Sequence, residues 1–333
     1  MPITAPIARR RALLAGAGLL AMGTAARAQN AAETFPNRPV RFLVPFPPGQ
    51  AADIFARLMA DELSRRWPQR VVVENRAGGA GSVGMEAAAR SEPDGHTLCI
   101  GTSGTLGINP SVQPRLPYDA ERDFAPVTNI FTVPLVVVAH PSFEGKDLAG
   151  LIAAARARPG ELPYASAGPA TAQHMTGEMF AYRLGLKMSH VPYRGSGPAM
   201  SDLVAGNVPV MFDSLASALP HVQAGRVRPL AVTSRARVPQ LPEVPTVAEA
   251  AVPGFEAAGW SGIVAPAGTP PAILRRINAD AVAVLRDPAV AARMIEMGGF
   301  PAPGTPAEFG AFIRAEIAKW REVAQAAQVR LDG

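Results

Sequence analysis

The chain has 333 residues, 48 % of them hydrophobic and 18 % charged, an ordinary balance for a packed globular protein. Its formal charge of +5 comes from the N-terminus, where Arg9, Arg10, Arg11 and Arg27 have no acidic neighbour; beyond residue 28 basic and acidic residues differ by one. That leaves no basic stripe for nucleic acid and no apolar run near the roughly 18 residues of a membrane helix, and the single Cys99 permits neither an intrachain disulfide nor a lipid anchor after a leader.

In chain order, residues 1–28 read as an export signal. Three arginines precede an apolar run over 12–22, and Ala26-Arg27-Ala28 supplies a small-x-small cleavage site. Arg10-Arg11-Ala12-Leu13-Leu14 is similar to a twin-arginine signal, with Arg9 where Ser or Thr is usual, so Tat and Sec export both stay open. Cleavage near Ala28 places the mature protein in the periplasm.

A strand is predicted over 40–46, broken by Pro47-Pro48-Gly49. A helix follows over 51–67, with Phe55, Leu58, Met59 and Leu63 at helical spacing. Residues 71–73 form the next strand, then a Gly-rich turn and a helix through 85–90. Further strands are expected over 97–100, 133–139, 162–165, 188–192, 208–212, 227–232 and 260–265, separated by helices. This alternation argues an α/β fold. After residue 265 only helices are expected. Thr269-Pro270, Asp287-Pro288 and Thr305-Pro306 each place a capping side chain before a proline, and Thr305 with Glu308 makes a capping box. Phe309, Phe312, Ile313, Ile317 and Trp320 give the last helix an apolar stripe for docking onto an earlier core.

Little in this pattern points to catalysis. Gly79-Ala80-Gly81-Ser82-Val83-Gly84 spells GxGxxG, but its loop is long and the next strand ends in Gly101-Thr102-Ser103 without a ribose-binding acid. Its glycines are read as serving a tight turn and close helix packing. The histidines His96, His140, His174, His190 and His221 are widely spaced, with no HExxH and no cysteine pair, so no metal is expected. Ser166, His174 and Asp213 are the residue types of a hydrolase triad, yet GxSxG is missing around Ser166. What remains is a set of small polar loops at strand ends. They are Pro47-Pro48-Gly49-Gln50-Ala51-Ala52-Asp53, Thr102-Ser103-Gly104-Thr105 and Ser166-Ala167-Gly168-Pro169-Ala170-Thr171. Helix starts carry free N–H groups and partial positive charge, so several converging on one cleft would bind an anion.

At these loops the chain resembles the Bug proteins, the substrate-binding components of tripartite tricarboxylate transporters. The resemblance rests on Phe35-Pro36-Asn37-Arg38-Pro39, Val44-Pro45-Phe46-Pro47-Pro48-Gly49, Glu74-Asn75-Arg76-Ala77-Gly78 and Val191-Pro192-Tyr193-Arg194-Gly195. Met211-Phe212-Asp213, Pro242-Glu243-Val244-Pro245-Thr246 and Pro266-Ala267-Gly268-Thr269-Pro270 extend it in order to about residue 325.

The resemblance implies a two-lobed α/β periplasmic binding protein (type II, Venus-flytrap) with the ligand cleft between its lobes. Lobe 1 would take 29–131 plus 255–333, and lobe 2 would take 132–254. It implies a monomeric receptor without cofactor or enzymatic activity, passing a small organic acid to the membrane subunits of a transporter. The same fold and cleft would serve a sensor feeding a membrane signalling kinase; a secreted hydrolase is a more distant reading. The expected ligand residues are Pro48, Gly49, Gln50, Ser103, Ser166, Gly168, Thr171 and Asp213. Asp213 has two readings, receiving a ligand ammonium or capping the helix that starts at Ser214. Two departures stand out. Gln50 replaces a second family glycine, and Pro169-Ala170 replaces a glycine-rich turn.

Overall fold

The computed structural model describes residues 34–326 together with 329 and 330, so the expected export signal lies outside the described residues. Two sheets share one long strand. In the first, β1 (Val40–Val44) lies between β2 (Val71–Asn75) and β3 (Thr97–Thr102), all parallel, with crossovers through α1 (Ala51–Arg66) and α2 (Ser82–Ala89). A π-helical turn over Ser103–Ile108 and the short α3 (Asn109–Val112) lead on to β4 (Phe124–Ala139). The antiparallel β9 (Ala258–Pro266) sits between β3 and β4.

In the second sheet, residues 135–139 of β4 pair with β7 (Val210–Ser214) along one edge and β8 (Arg228–Val232) along the other. Beyond β7 come the parallel strands β5 (Pro163–Ser166) and β6 (Ser189–Pro192). The helices of this half are α4 (Leu148–Ala157), α5 (Ala172–Leu184), α6 (Ser196–Ala205), α7 (Leu215–Gln223) and the short α8 (Val247–Ala250). This is the two-lobed arrangement of periplasmic binding proteins.

The chain crosses between sheets twice, and Thr233 ties the crossings together. Its buried hydroxyl accepts from Leu135 N at 2.9 Å and donates to Ala257 O at 2.6 Å. The change of sheet within β4 falls after Pro134, the last residue paired to β9. The strand expected over 133–139 in fact begins at Phe124. Pro126, Thr128, Asn129 and Pro134 interrupt the apolar run that would have announced it. Register shifts between Pro126 and Thr128, and between Asn129 and Phe131, let the strand carry these residues.

The C-terminal third holds α9 (Pro271–Leu285), α10 (Pro288–Glu296) and α11 (Pro306–Ala326). The all-helical expectation needs one correction: β10 (Phe300–Pro301) pairs with Phe131 and Thr132 of β4. Two residues carry no periodicity, so nothing in the sequence marked it. Asp287 caps α10, accepting from Ala289 N at 2.9 Å, and Thr305 and Glu308 form their capping box. Thr269 does not cap. Pro270 occupies the cap position of α9, and the Thr269 hydroxyl turns back to donate to Pro266 O at 2.7 Å.

On α11, Phe309, Ile313, Ile317 and Trp320 are buried and Phe312 is half-buried. Phe309 and Phe312 meet the Trp260 ring edge-on, at centroid distances of 5.8 and 5.0 Å. Gly262 on β9 makes this docking possible, because a Cβ there would lie 2.2 Å from Phe309 Cζ and 2.7 Å from Thr128 O. Gly262→Ala is therefore expected to cost about 1–3 kcal/mol through overpacking. Urea denaturation checks this, and an unchanged midpoint would show that α11 docks more loosely than its packing implies.

Candidate ligand-binding cleft

Loops from both sheets enclose two connected chambers. The inner one, about 40 Å³, is walled by Gln50, Ala51, Ala52, Ser103, Thr171, Ala172, Gln173, Ser214 and Trp260, among others. Its polar character comes from chain direction. Ile54 N is the first α1 amide to bond back, to Gln50 O at 3.0 Å, so the amides of Ala51 and Ala52 precede the helical ladder. On α5, Met175 N reaches Thr171 O and His174 N reaches the Thr171 hydroxyl, which leaves the amides of Ala172 and Gln173 ahead of that ladder. Beside them, Thr102 and Thr105 close a capping box that opens the turn bearing Ser103. Three helix starts thus face one small space, each with its positive end inward.

The outer chamber is far larger, about 460 Å³. It is lined by the Gly78–Gly81 turn (residues 78–81), by Ala167, Gly168 and Pro169, and by Tyr193, Arg194 and Gly195. Phe46, Gln50 and Thr171 line both chambers and mark their junction. No acidic side chain lines either chamber, and Arg194 is the one cationic side chain in their walls among the described residues. The sign of the cleft suits an anion.

Behind the walls, buried polar groups hold the loops in place. Asp53 on α1 accepts from Gly49 N at 3.1 Å, from Arg57 Nη2 at 2.9 Å and from Asn75 Nδ2 at 2.8 Å. Burial alone would raise its carboxyl, but hydrogen bonds from Arg57, Asn75 and Gly49 and the Arg57 charge hold it below its ordinary value. Its carboxylate is spent on the Gly49 loop instead of its own helix amides.

Across the cleft, His174 and His190 stack with ring centroids 4.0 Å apart. His190 Nε2 lies 2.6 Å from Ser166 Oγ, and His174 Nδ1 accepts from Ala170 N at 3.2 Å. Ala170 has φ of +53°, the left-handed region where glycine is favoured, so this hydrogen bond and full burial stabilise a strained turn. Gly104 lets the first half approach it, since a Cβ there would lie 3.1 Å from Ala170 O.

The expected ligand residues separate into two groups. Gln50, Ser103 and Thr171 line the inner chamber, and Gln50, Gly168 and Thr171 line the outer one. Pro48 and Gly49 are exposed at the back of their loop and line neither chamber. Ser166 is wholly buried behind the loop, its hydroxyl engaged by His190 and by Gly168 N at 3.1 Å. A hydrolase triad of Ser166, His174 and Asp213 does not assemble, because Ser166 pairs with His190 and is closed off from the cleft.

Asp213 is also wholly buried, its Oδ1 accepting from Ser196 Oγ at 2.7 Å and Ser214 N at 2.8 Å, while Oδ2 has no partner. Burial pushes its carboxyl up to about 6 against the hydrogen bonds from Ser196, Ser214 and Gln173. The capping reading of Asp213 is corrected. Ser214 caps α7, accepting from Ser217 N at 3.3 Å, and Asp213 stays on the strand before it. Gln173 and Ser214, not Asp213, line the inner chamber.

Sequence reasoning missed the glycine turn in the outer wall. Gly79-Ala80-Gly81 is a turn, as its glycines suggested, with φ of +53° at Gly79 and +91° at Gly81. That same turn faces the cleft, which only the meeting of the two halves determines.

Comparison with known proteins shows the family and the fold. The model of the tripartite tricarboxylate transporter family receptor matches residues 55–329. The chain is similar to a protein of R. palustris solved with adipate, at 38 % identity and a TM-score of 0.87, covering 89 % of this chain and 99 % of that one. It is similar to the periplasmic binding protein BugD, at 31 % identity and a TM-score of 0.84, over 89 % and 99 % of the two chains. MatC from Rhodopseudomonas palustris, solved with bound malate, matches at 32 % identity and a TM-score of 0.82, over 87 % and 99 %.

Proposed function

The chain belongs to the tripartite tricarboxylate transporter receptor family, and we propose that it captures a small organic acid in its cleft and delivers it to membrane subunits of such a transporter. Proteins of this family are periplasmic solute-binding receptors, not enzymes. The observation that carries the carboxylate reading is the inner chamber: converging helix starts and hydroxyls, with no acidic side chain in its wall. A carboxylate leaving water needs several donors to replace its hydration, and uncharged N–H groups from both halves supply them. The adipate and malate of the two neighbouring structures favour the same ligand class here.

Bound between the halves, the acid would favour the closed arrangement over the open one, since only closure brings both sets of donors to it. No helix among the described residues is long and apolar enough to cross a membrane. The family supports handing the captured acid to separate membrane subunits. Ligand at about 100 times its dissociation constant is expected to add about 2.7 kcal/mol of stability, a rise of several degrees in melting temperature. A thermal-shift panel of mono-, di- and tricarboxylates and aromatic acids reads this directly. Silence across the whole panel would refute the carboxylate reading.

A further inference from the structure

We propose that Gln50 is a specificity-determining residue of this cleft. Its side-chain Nε2 would donate to an acceptor oxygen that the ligand carries beyond the carboxylate seated in the inner chamber. The inference rests on the acid-receptor reading and names which acids the cleft prefers.

Gln50 is 6 % exposed, yet its Nε2 has no hydrogen-bond partner. A buried N–H without an acceptor is costly, so it is a place where a ligand oxygen gains most. The residue occupies the cap position of α1 with extended backbone, φ −81° and ψ 159°, but its side chain makes no capping bond. The residue instead lines both chambers.

Of the other junction residues, Phe46 is apolar. Thr171 already donates its hydroxyl hydrogen to Gly168 O at 2.7 Å and accepts from His174 N at 3.3 Å. Gln50 alone offers an unused hydrogen there. Gly195, from the opposite half, lies against that amide: a Cβ at Gly195 would lie 3.3 Å from Gln50 Nε2. A group bound at this point therefore touches both halves.

Size decides the rest. The inner chamber of about 40 Å³ holds little more than a few water-sized groups, at roughly 10–15 Å³ for each, and the outer one has about 460 Å³. An acid with one end inside must pass Gln50 on its way out. A hydroxyl, oxo or second carboxylate oxygen near that point satisfies the amide, whereas a plain alkyl chain leaves it unpaired.

Calorimetry with straight-chain diacids of four to eight carbons, each beside the monoacid of equal length, tests the assignment. The wild-type protein should bind its tightest diacid at least about tenfold better than the matching monoacid. Gln50→Leu should lose about tenfold or more for that diacid while the monoacid changes by less than about threefold, so the loss couples to the second oxygen function. Gln50→Met serves the same purpose if Gln50→Leu does not fold. Equal losses for both probes would mean a merely structural role and overturn the proposal, as would an unchanged diacid affinity or a wild type that does not discriminate. Binding of no acid at all would instead remove the receptor reading on which the inference stands.

Discussion

Replacing Trp320 by alanine is expected to lower the free energy of unfolding by about 3–5 kcal/mol, the range for truncating a wholly buried large aromatic. Trp320 lies on α11 with no exposed surface, packed with Ile108, Val112, Ala170, Met175 and Ala324. Its indole N–H donates to Glu316 Oε2 at 3.0 Å, and the Trp260 indole donates to the same oxygen at 2.8 Å. The substitution removes apolar contacts on both sides of the cleft and leaves a cavity. It also frees the carboxylate that orients Trp260, a wall of the inner chamber. Ligand affinity should fall along with stability. Urea denaturation should show a lower midpoint at unchanged slope. A loss below about 1 kcal/mol would mean that α11 is not integral to the core.

Acid is expected to destabilise the protein well above the ordinary carboxylate range, because two imidazoles must stay neutral. Burial pushes His174 down to about 3, helped by the nearby His190, and burial pushes His190 down to about 4. His174 cannot take a proton on Nδ1 without losing the Ala170 N–H it accepts. The groups facing the pair are Ser166, Tyr164, whose ring lies 5.1 Å from His190, and Glu178, 3.7 Å from His174 Nε2.

Unfolded, both histidines titrate near 6.5, so below that pH the unfolded chain binds protons that the folded one refuses. Their contribution is complete above about pH 6.5 and is lost progressively as pH falls toward the folded values. Asp213 runs the other way. Its folded carboxyl, near 6, takes up a proton that the unfolded one binds only near 3.9, which offsets one imidazole. The net excess of bound protons in the unfolded state gives a slope on the order of 1 kcal/mol per pH unit between pH 6 and 4. Asp53, held below its ordinary value, adds its loss only below about pH 4. Denaturation midpoints at pH 7, 6, 5 and 4 measure the slope. The same slope in a His174→Gln, His190→Gln double variant would assign the acid sensitivity elsewhere.

Much of the fold was legible because short-range physics writes it into neighbouring residues. Apolar runs of about five residues announced nearly every strand, Asp287 and Thr305 with Glu308 announced two helix starts, and the spacing of Phe309, Ile313, Ile317 and Trp320 announced a docked helix. Where a local rule had two outcomes, the sequence alone was insufficient. Thr269-Pro270 looks like the other cap pairs, but the chain begins its helix one residue later. Phe124 to Asn129 lacks strand periodicity, yet β9 pairs with it and absorbs Pro126 in a register shift.

The cleft divides the same way. The sequence by itself marked the loops at strand ends, since helix-start residues and glycines are chosen by backbone needs within a few positions. It could not tell which atoms of a loop face the ligand and which face inward. Ser166 and Thr171 are equally polar and five positions apart, yet one is sealed against His190 and the other lines both chambers. Asp213 is withdrawn behind Gln173 and Ser214, while the Gly79-Ala80-Gly81 turn comes forward. Burial is the sum of contacts from segments distant in the chain, and the crossings at Leu135 and Ala257, joined through Thr233, decide how the two halves meet. Composition and spacing chose the elements; the meeting of the halves chose which of their side chains face the cleft.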